Sequence, residues 1–268
     1  MSWDLPEQWD RFQTYVASFA GADGLHPMQE LKLGHTARVA ANCRTIALGE
    51  GWDAALVDLA ECAGLWHDVA RFEQYERFQT FADPRSFNHG DRGAELLDEH
   101  GFLSGMPPAL ASCIRTAVQL HNRLAVPSDL AEPGVLRVLR DADKLDILEV
   151  FVETFRSRSY EQFPEILLHV DPDGPLSEAV VQAVAAGETA SYEHIRSLLD
   201  MRLLSVGWLY DVNFAPTFAL MRERGLFRGM RDELPDRPEI RTALDRAEVR
   251  FSIDFSEDIH HEGTTNTK

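Results

Sequence analysis

The spacing of apolar residues is the feature that most constrains the fold of this chain. Apolar side chains recur at intervals of three and four residues through most of the sequence, which places them on one face of an α-helix. No stretch alternates apolar and polar residues between hairpin turn signals, as a half-buried β-strand would. The sequence therefore predicts an all-α fold.

Glycine and proline residues separate the predicted helices, as they commonly do at helix ends. The helices are expected at about 7–20, 27–49, 54–69, 89–100, 108–122, 133–155, 177–186, 191–210, 216–224 and 238–249. Between two of them, residues 71–88 are predicted to form a long connection in which a helical turn can occur. Connections of this length are often functional.

The charge balance restricts the kinds of partner that we expect. The chain has 26 Lys and Arg against 44 Asp and Glu, a formal net charge of −18. Such a field repels phosphate backbones and argues against binding to duplex nucleic acid or an anionic membrane. A small anionic substrate is compatible with this negative charge, because a metal ion or a local basic cluster makes the potential inside a pocket positive.

Three sequence features favour a cytoplasmic location. No apolar run approaches the ~18 residues of a membrane span, and the first residues lack the basic and apolar regions of a signal peptide. The three cysteines form no CxxC pair, so they are predicted to be reduced residues of the core. The sequence does not indicate an oligomeric state.

Four polar residues interrupt the apolar stripes of four predicted helices. They are His35, His67, His121 and Asp143. All four are expected to point inward, where an unpaired carboxylate is costly and an imidazole needs a partner. Any one of them alone would more often be a hydrogen-bonded core residue. Together they favour a shared metal ion, which satisfies several of them at once.

Four strings carry a resemblance to a known family: LKLGHTARVA, ECAGLWHDVARFEQY, NHGDRGAELL and RDADKLDILEV. In this order they resemble the HD-domain superfamily of metal-dependent phosphohydrolases. The resemblance covers roughly residues 24–155 and implies a helical HD core there. We therefore predict a single all-α domain over residues 1–258, with a helical extension at about 156–258 and a disordered tail at 259–268.

The resemblance implies a metal site formed by His35, His67, Asp68 and Asp143. It also matches His89 and His121 to the additional histidines of members that hold two metals, with Asp68 as the bridge. Mixed imidazole and carboxylate ligands suit Mn, Fe, Zn or Co, and we expect two such divalent ions. The chain has Asn122 where some members that hydrolyse cyclic dinucleotides carry another histidine, and it lacks their GYP string. Both differences disfavour that substrate.

The predicted reaction is hydrolysis of a phosphate ester of a nucleotide or another small phosphorylated metabolite. A bound divalent ion lowers the pKa of its water and makes hydroxide available at neutral pH. Catalytic roles are predicted for Asp68, Lys144 and Arg71, and substrate-phosphate contacts for Arg38, Arg71 and Lys144. Lys32 and Arg85 are weaker candidates for the same contacts. Asp146 is predicted to orient a metal ligand or Lys144.

Two other functions fit the same residues. The first is a di-iron oxygenase that acts on a small polar metabolite, because such members of the superfamily use a similar ligand order. Oxygen uptake by the iron-loaded protein would identify it. The second is a non-catalytic module that binds a nucleotide, for which binding without turnover would be the sign.

Overall fold

The structure is a computed structural model that describes residues 3–127, 130, 133–161, 170–232 and 234–252. Throughout these residues the regular elements are helices, and only isolated β-bridges occur. The all-α prediction is confirmed. The α-helices are α1 Leu5–Ala17, α2 Pro27–Gly49, α3 Ala54–Trp66, α4 Ala70–Phe78, α5 His89–Glu99, α6 Pro108–Leu120, α7 Pro133–Ser157, α8 Glu178–Ala186, α9 Leu198–Gly207, α10 Ala215–Glu223, α11 Leu226–Asp232 and α12 Pro238–Ser252.

The chain divides into two compact units between Val170 and Asp171. Helices α1 to α7 lie in the first unit and α8 to α12 in the second. The single domain and the bounds of its extension stay predictions, and the predicted tail at 259–268 lies outside the described residues. None of the described helices has an apolar stretch of the length that a bilayer crossing requires.

Side-chain caps set the starts of three of the helices that position the predicted ligands, α2, α3 and α5. The backbone N–H of Met28 donates to Nδ1 of His26 at the start of α2 (3.2 Å). Asp53 caps α3 in the same way, and Asn88 caps α5. Such caps satisfy N–H groups that have no partner inside the helix. The Asn88 cap makes His89 the first residue of α5.

Three sequence-based helix assignments are wrong in detail. The helix predicted at 54–69 ends at Trp66, and α4 begins at Ala70 and occupies the first part of the predicted connection 71–88. The segment predicted as one helix at 191–210 contains two short 3-10 turns around α9, because Ser197 and Asp200 form a capping box that starts a new helix. Helix α11 was not predicted, since its 7 residues are too few to show a period.

Two glycines allow the ligand-bearing helices of the first unit to approach closely. A Cβ atom added at Gly64 of α3 would lie 2.8 Å from the Cα atom of Ala40 on α2. One added at Gly90 of α5 would lie 2.7 Å from the backbone oxygen of Gln119 on α6. Real Cβ contacts are longer, so only glycine fits at these crossings. The crossings bring together the helix pairs α2–α3 and α5–α6.

Candidate metal centre

Four histidines from four helices converge in the first unit. The Nε2 atoms of His35 on α2 and His67, which directly follows α3, lie 3.2 Å apart. The Nε2 atoms of His89, the first residue of α5, and His121, which directly follows α6, lie 3.1 Å apart. None of the four residues is more than 6% exposed. The inward orientation predicted for the three stripe histidines is confirmed.

The second ring nitrogen of each histidine is held by an acceptor. Nδ1 of His67 lies 2.7 Å from the backbone oxygen of Gly64, and Nδ1 of His121 lies 2.7 Å from that of Val118. A carbonyl oxygen only accepts hydrogen bonds, so Nδ1 carries the proton in both rings and Nε2 is left with a lone pair. These two rings are therefore oriented as metal-ligating histidines usually are.

Carboxylates hold the other two rings. Nδ1 of His35 lies 2.6 Å from Oδ2 of Asp146, and Nδ1 of His89 lies 2.7 Å from Oδ2 of Asp83. An ionised carboxylate only accepts, so Nδ1 donates here as well. The four Nε2 atoms consequently face a common interior, and each ring is held in place by the hydrogen bond at its Nδ1 atom.

Burial keeps the rings at the His89–His121 contact neutral. It lowers the pKa of His89, with Arg71 adding to the effect, and it lowers the pKa of His121 to about 3. Burial also lowers the pKa of His67. The facing Nε2 atoms of His89 and His121 are thus two lone pairs 3.1 Å apart, a repulsive contact that a cation between them would turn into an attractive one.

His35 differs from the other three histidines. Burial and the positive charge of Lys32 lower its pKa, but hydrogen bonds to Asp143 and Asp146 outweigh them and raise it. Its Nε2 atom lies 3.2 Å from Oδ1 of Asp143. A metal ion between these two residues would take the place that a proton on Nε2 can occupy.

The carboxylate of Asp68 faces both histidine pairs. Its Oδ2 atom lies 3.5 Å from Nε2 of His35 and 3.5 Å from Nε2 of His67. Its Oδ1 atom lies 3.6 Å from Nε2 of His89 and 3.9 Å from Nε2 of His121. Burial raises the pKa of Asp68, but Lys32 and the other neighbouring cationic groups hold it well below its ordinary range. The carboxylate is therefore ionised.

These residues form two adjoining groups of ligand atoms. His35, His67 and Oδ2 of Asp68 form the first group. Oδ1 of Asp143 lies 3.2 Å from Nε2 of His35 and 3.8 Å from Nε2 of His67, and we count it with them as site one. Site two consists of His89, His121 and Oδ1 of Asp68. Ligand atoms about 2.1 Å from one ion lie roughly 3.0–3.4 Å apart in octahedral or tetrahedral geometry. The observed separations of 3.1–3.9 Å approach this range, and mixed imidazole and carboxylate donors suit Mn, Fe, Zn or Co.

Asp83, which the sequence analysis did not single out, is a central acceptor beside site two. It lies in a 3-10 turn at Asp83–Arg85. Besides His89, it accepts hydrogen bonds from Nη1 of Arg71 (3.0 Å), Nε2 of Gln74 (3.1 Å) and Nδ2 of Asn122 (3.3 Å). Burial raises the pKa of Asp83, but His89 and Arg71 hold it below its ordinary value. Its only sequence signal was its place in the long connection.

Two cations lie against Asp68. Nζ of Lys32 donates to Oδ2 at 2.8 Å, and Nε of Arg71 lies 3.4 Å from Oδ1. Nη2 of Arg71 also lies 3.3 Å from Nε2 of His89. Arg71 is thus brought to the ligand atoms, and Lys32, predicted as a weaker candidate, reaches them as well.

The other basic residues predicted to contact the substrate phosphate make different contacts or are exposed. Arg38 donates twice to Asp146, at 2.6 and 3.1 Å, and so supports the carboxylate that orients His35. Lys144 donates to the backbone oxygen of Arg140 at 3.4 Å, and Arg85 is exposed. Contact of these three residues with a substrate stays a prediction.

Comparison with known proteins agrees with this geometry. The family model of the HD domain matches residues 33–148, which include every predicted metal ligand. Comparisons with curated proteins and with solved structures find no significant match. An HD domain indicates metal-dependent activity of the hydrolase type, and the converging histidines and aspartates could hold the metal. Residues 33–148 of this chain therefore match an HD domain, as the sequence resemblance implied.

Proposed function

We propose that this protein is a metal-dependent phosphohydrolase that cleaves a phosphate ester of a nucleotide or another small phosphorylated metabolite with two divalent ions. The contact between Nε2 of His89 and Nε2 of His121 carries the proposal. A single ion at site one would leave these two lone pairs opposed. Two ions that share a carboxylate, about 3.5–4 Å apart, are common in enzymes that act on phosphate esters.

When bound, the ions supply a hydroxide nucleophile at neutral pH and neutralise charge on the phosphoryl oxygens. The residues of the chain hold that arrangement in place. Asp68 presents one oxygen to each site, and the bonds at the four Nδ1 atoms prevent the rings from turning. Because these groups are pre-oriented, little reorganisation is needed during the reaction.

Arg71 supports an anionic substrate. Its Nε atom is buried and makes no hydrogen bond, although it lies 3.4 Å from Oδ1 of Asp68. A buried donor without an acceptor costs free energy, and a phosphoryl oxygen beside the ligands would supply the acceptor. Lys144 and Arg38 are proposed as further phosphate contacts.

The whole-chain charge supports a small substrate. A net charge of −18 repels extended polyanions, whereas Lys32, Arg71 and the bound ions provide positive charge locally. We therefore propose a small phosphorylated partner, and neither duplex nucleic acid nor a membrane.

The test is metal analysis of protein purified without chelator, followed by a screen of phosphate esters with that metal restored. We expect close to two transition-metal ions per chain and metal-dependent hydrolysis of at least one ester class. One ion per chain, with His89 and His121 dispensable for binding it, would refute the two-metal form. Oxygen uptake by the iron-loaded protein without ester hydrolysis would indicate the oxygenase, and ligand binding without turnover would indicate the binding module.

A further inference from the structure

The guanidinium group of Arg71 lies against two of the three ligand atoms of site two. Its Nη2 atom is 3.3 Å from Nε2 of His89, and its Nε atom is 3.4 Å from Oδ1 of Asp68. Arginine does not lose its proton in proteins. A permanent positive charge therefore borders the place where the second divalent ion would bind.

Arg71 is held in this position by its other nitrogen. Nη1 donates to Oε1 of Gln74 (2.5 Å), the backbone oxygen of Phe81 (2.7 Å) and Oδ1 of Asp83 (3.0 Å). The guanidinium carbon also lies 5.7 Å from the centre of the Phe81 ring, and the side chain is only 12% exposed. With Nη1 fixed, Nε and Nη2 remain directed at site two.

The two sites differ in the negative charge that offsets their neighbouring cations. Site one has Asp143 in addition to its share of Asp68, and both oppose the charge of Lys32. Among the residues that the structure describes, the one ligand carboxylate grouped with the histidines of site two is Asp68. Asp83 lies behind His89 and is already bonded to Arg71. The charge of Arg71 therefore disfavours a cation at site two more than Lys32 does at site one.

We propose that Arg71 couples occupancy of site two to binding of the phosphoryl group. Arg71 weakens cation binding at site two until an anion accepts its Nε and Nη2 hydrogens and neutralises its charge. This inference rests on the proposed function, since the anion is the phosphoryl group of the substrate. A phosphate suits the role, because the guanidinium fork matches two of its oxygens. Linkage requires that metal and anion strengthen each other's binding equally.

The test is a titration of the metal-free full-length protein with Mn²⁺, with and without inorganic phosphate, in which paramagnetic resonance measures the free ion. We expect the wild type to bind a second ion more weakly than the first, and phosphate to tighten the second by about 5- to 150-fold. Arg71→Gln should bind the second ion more tightly than the wild type without phosphate, and phosphate should then add less. Arg71→Lys keeps the charge and should resemble the wild type.

Arg77→Gln is the matched control, because Arg77 is an exposed cation of the same helix that pairs with Glu73 at 2.6 Å. It should titrate as the wild type does. The proposal is overturned if Arg71→Gln binds the second ion no more tightly than the wild type does. It is also overturned if neither the wild type nor any of the variants binds a second ion. Phosphate without effect on the wild type would also overturn it, even if Arg71→Gln did not fold. Because the titration needs no turnover, its result is independent of whether esters are hydrolysed.

Discussion

At the scale of single residues, His67 and His121 are aimed by the same local hydrogen bond. Each directly follows a helix, and each Nδ1 donates to the backbone oxygen three residues earlier at 2.7 Å. The last carbonyls of a helix have no partner within it, so the bond satisfies one of them. The ring is fixed by its own helix, and its lone pair points away from the helix end.

Asp68 is the residue on which both sites depend, so we predict that Asp68→Ala and Asp68→Asn lose nearly all activity and most bound metal. The Asn variant keeps the shape but removes the negative charge that holds two dications together. Its helical fold should survive, because apolar burial provides most of the stability of a chain this long. Metal content, circular dichroism and turnover should be measured on one preparation.

The control for Asp68 is Asp58→Asn, since Asp58 lies on α3 and pairs with Arg44 at the surface at 3.0 Å. It should retain metal and activity. A folded, metal-replete and active Asp68→Asn protein would contradict the proposed centre.

Asp146 and Asp83 each support one histidine, so we predict that their asparagine variants damage different sites. Asp146→Asn removes the carboxylate behind His35 and should weaken metal binding at site one. Asp83→Asn removes the carboxylate behind His89 and should weaken metal binding at site two. Loss of such a support typically costs 10- to 100-fold in metal affinity. Metal titration of both variants provides the comparison, and equal effects on both sites would contradict the assignment.

Lys144 and Arg71 are predicted to hold the phosphate of the substrate. Alanine at either position should reduce turnover while metal content is at least preserved. Loss of a charge-assisted contact of ~1.5–3 kcal/mol corresponds to roughly 10- to 150-fold. Steady-state kinetics with the ester found in the screen measure the effect. Unchanged kinetics in both variants would show that these are ordinary structural charges.

At the scale of elements, His67, Asp68 and Val69 form the turn between α3 and α4. The backbone of His67 and of Val69 is helical, so the apolar period continues through the turn. Periodicity therefore predicted one helix to 69. Asp68 therefore lies in the turn that follows α3 and not within the helix.

The crossing of α2 and α3 leads to a prediction about Gly64. In Gly64→Ala, the new methyl group would lie 2.8 Å from the Cα atom of Ala40 and push the helices apart. We expect a loss of about 1–3 kcal/mol in the free energy of unfolding. Binding at site one should also weaken, since the oxygen of Gly64 holds the ring of His67.

Thermal unfolding and metal titration measure these effects of Gly64→Ala. Gly34→Ala is the control, because an added Cβ there meets only the end of the Arg38 side chain, at 3.2 Å. It should be neutral or stabilising, since alanine favours helix by about 1 kcal/mol over glycine. Equal destabilisation by both substitutions would contradict the role of the crossing.

At the scale of the whole molecule, the buried centre makes stability depend on pH. His67, His89 and His121 have lowered pKa values in the fold, that of His121 being about 3. Below about pH 6.5 the unfolded chain binds protons that the folded chain does not. The stability that these residues contribute is therefore lost as the pH falls from about 6.5 toward 3. The pKa of His35 is raised in the fold, so His35 contributes stability as the pH falls. This effect comes from one histidine, whereas three histidines act in the other direction.

The carboxylates add to the acid sensitivity. The pKa values of Asp68, Asp143 and Asp146 are lowered in the fold, so their contribution is present above about pH 4 and lost below it.

We predict that the chelated protein is less stable at pH 5 than at pH 7, by up to about 1.4 kcal/mol per pH unit for each neutral histidine. Urea unfolding at both values tests this.

A second variant identifies the source of the pH dependence. His121→Gln removes one titrating group and should show a shallower dependence than the wild type. Equal stability of the chelated wild type at pH 5 and pH 7 would contradict the electrostatic account.

The helices and the candidate ligands could be predicted from the sequence because both have local signals. The apolar period is repeated within each helix, and His35, His67, His121 and Asp143 interrupt it at positions that face the core. The order of these residues carries the family resemblance that includes Asp68 and His89. Such signals need no knowledge of how the helices pack.

The residues that support the candidate ligands became evident only from the tertiary structure. Asp83 lies in a short turn without any period, and its partner Asn122 is 39 residues away. The place of Arg71 against His89, 18 residues on, likewise follows from how α4 and α5 pack. Hydrogen bonds of this kind depend on distances between elements, and the spacing of residues along one helix contains no information about those distances.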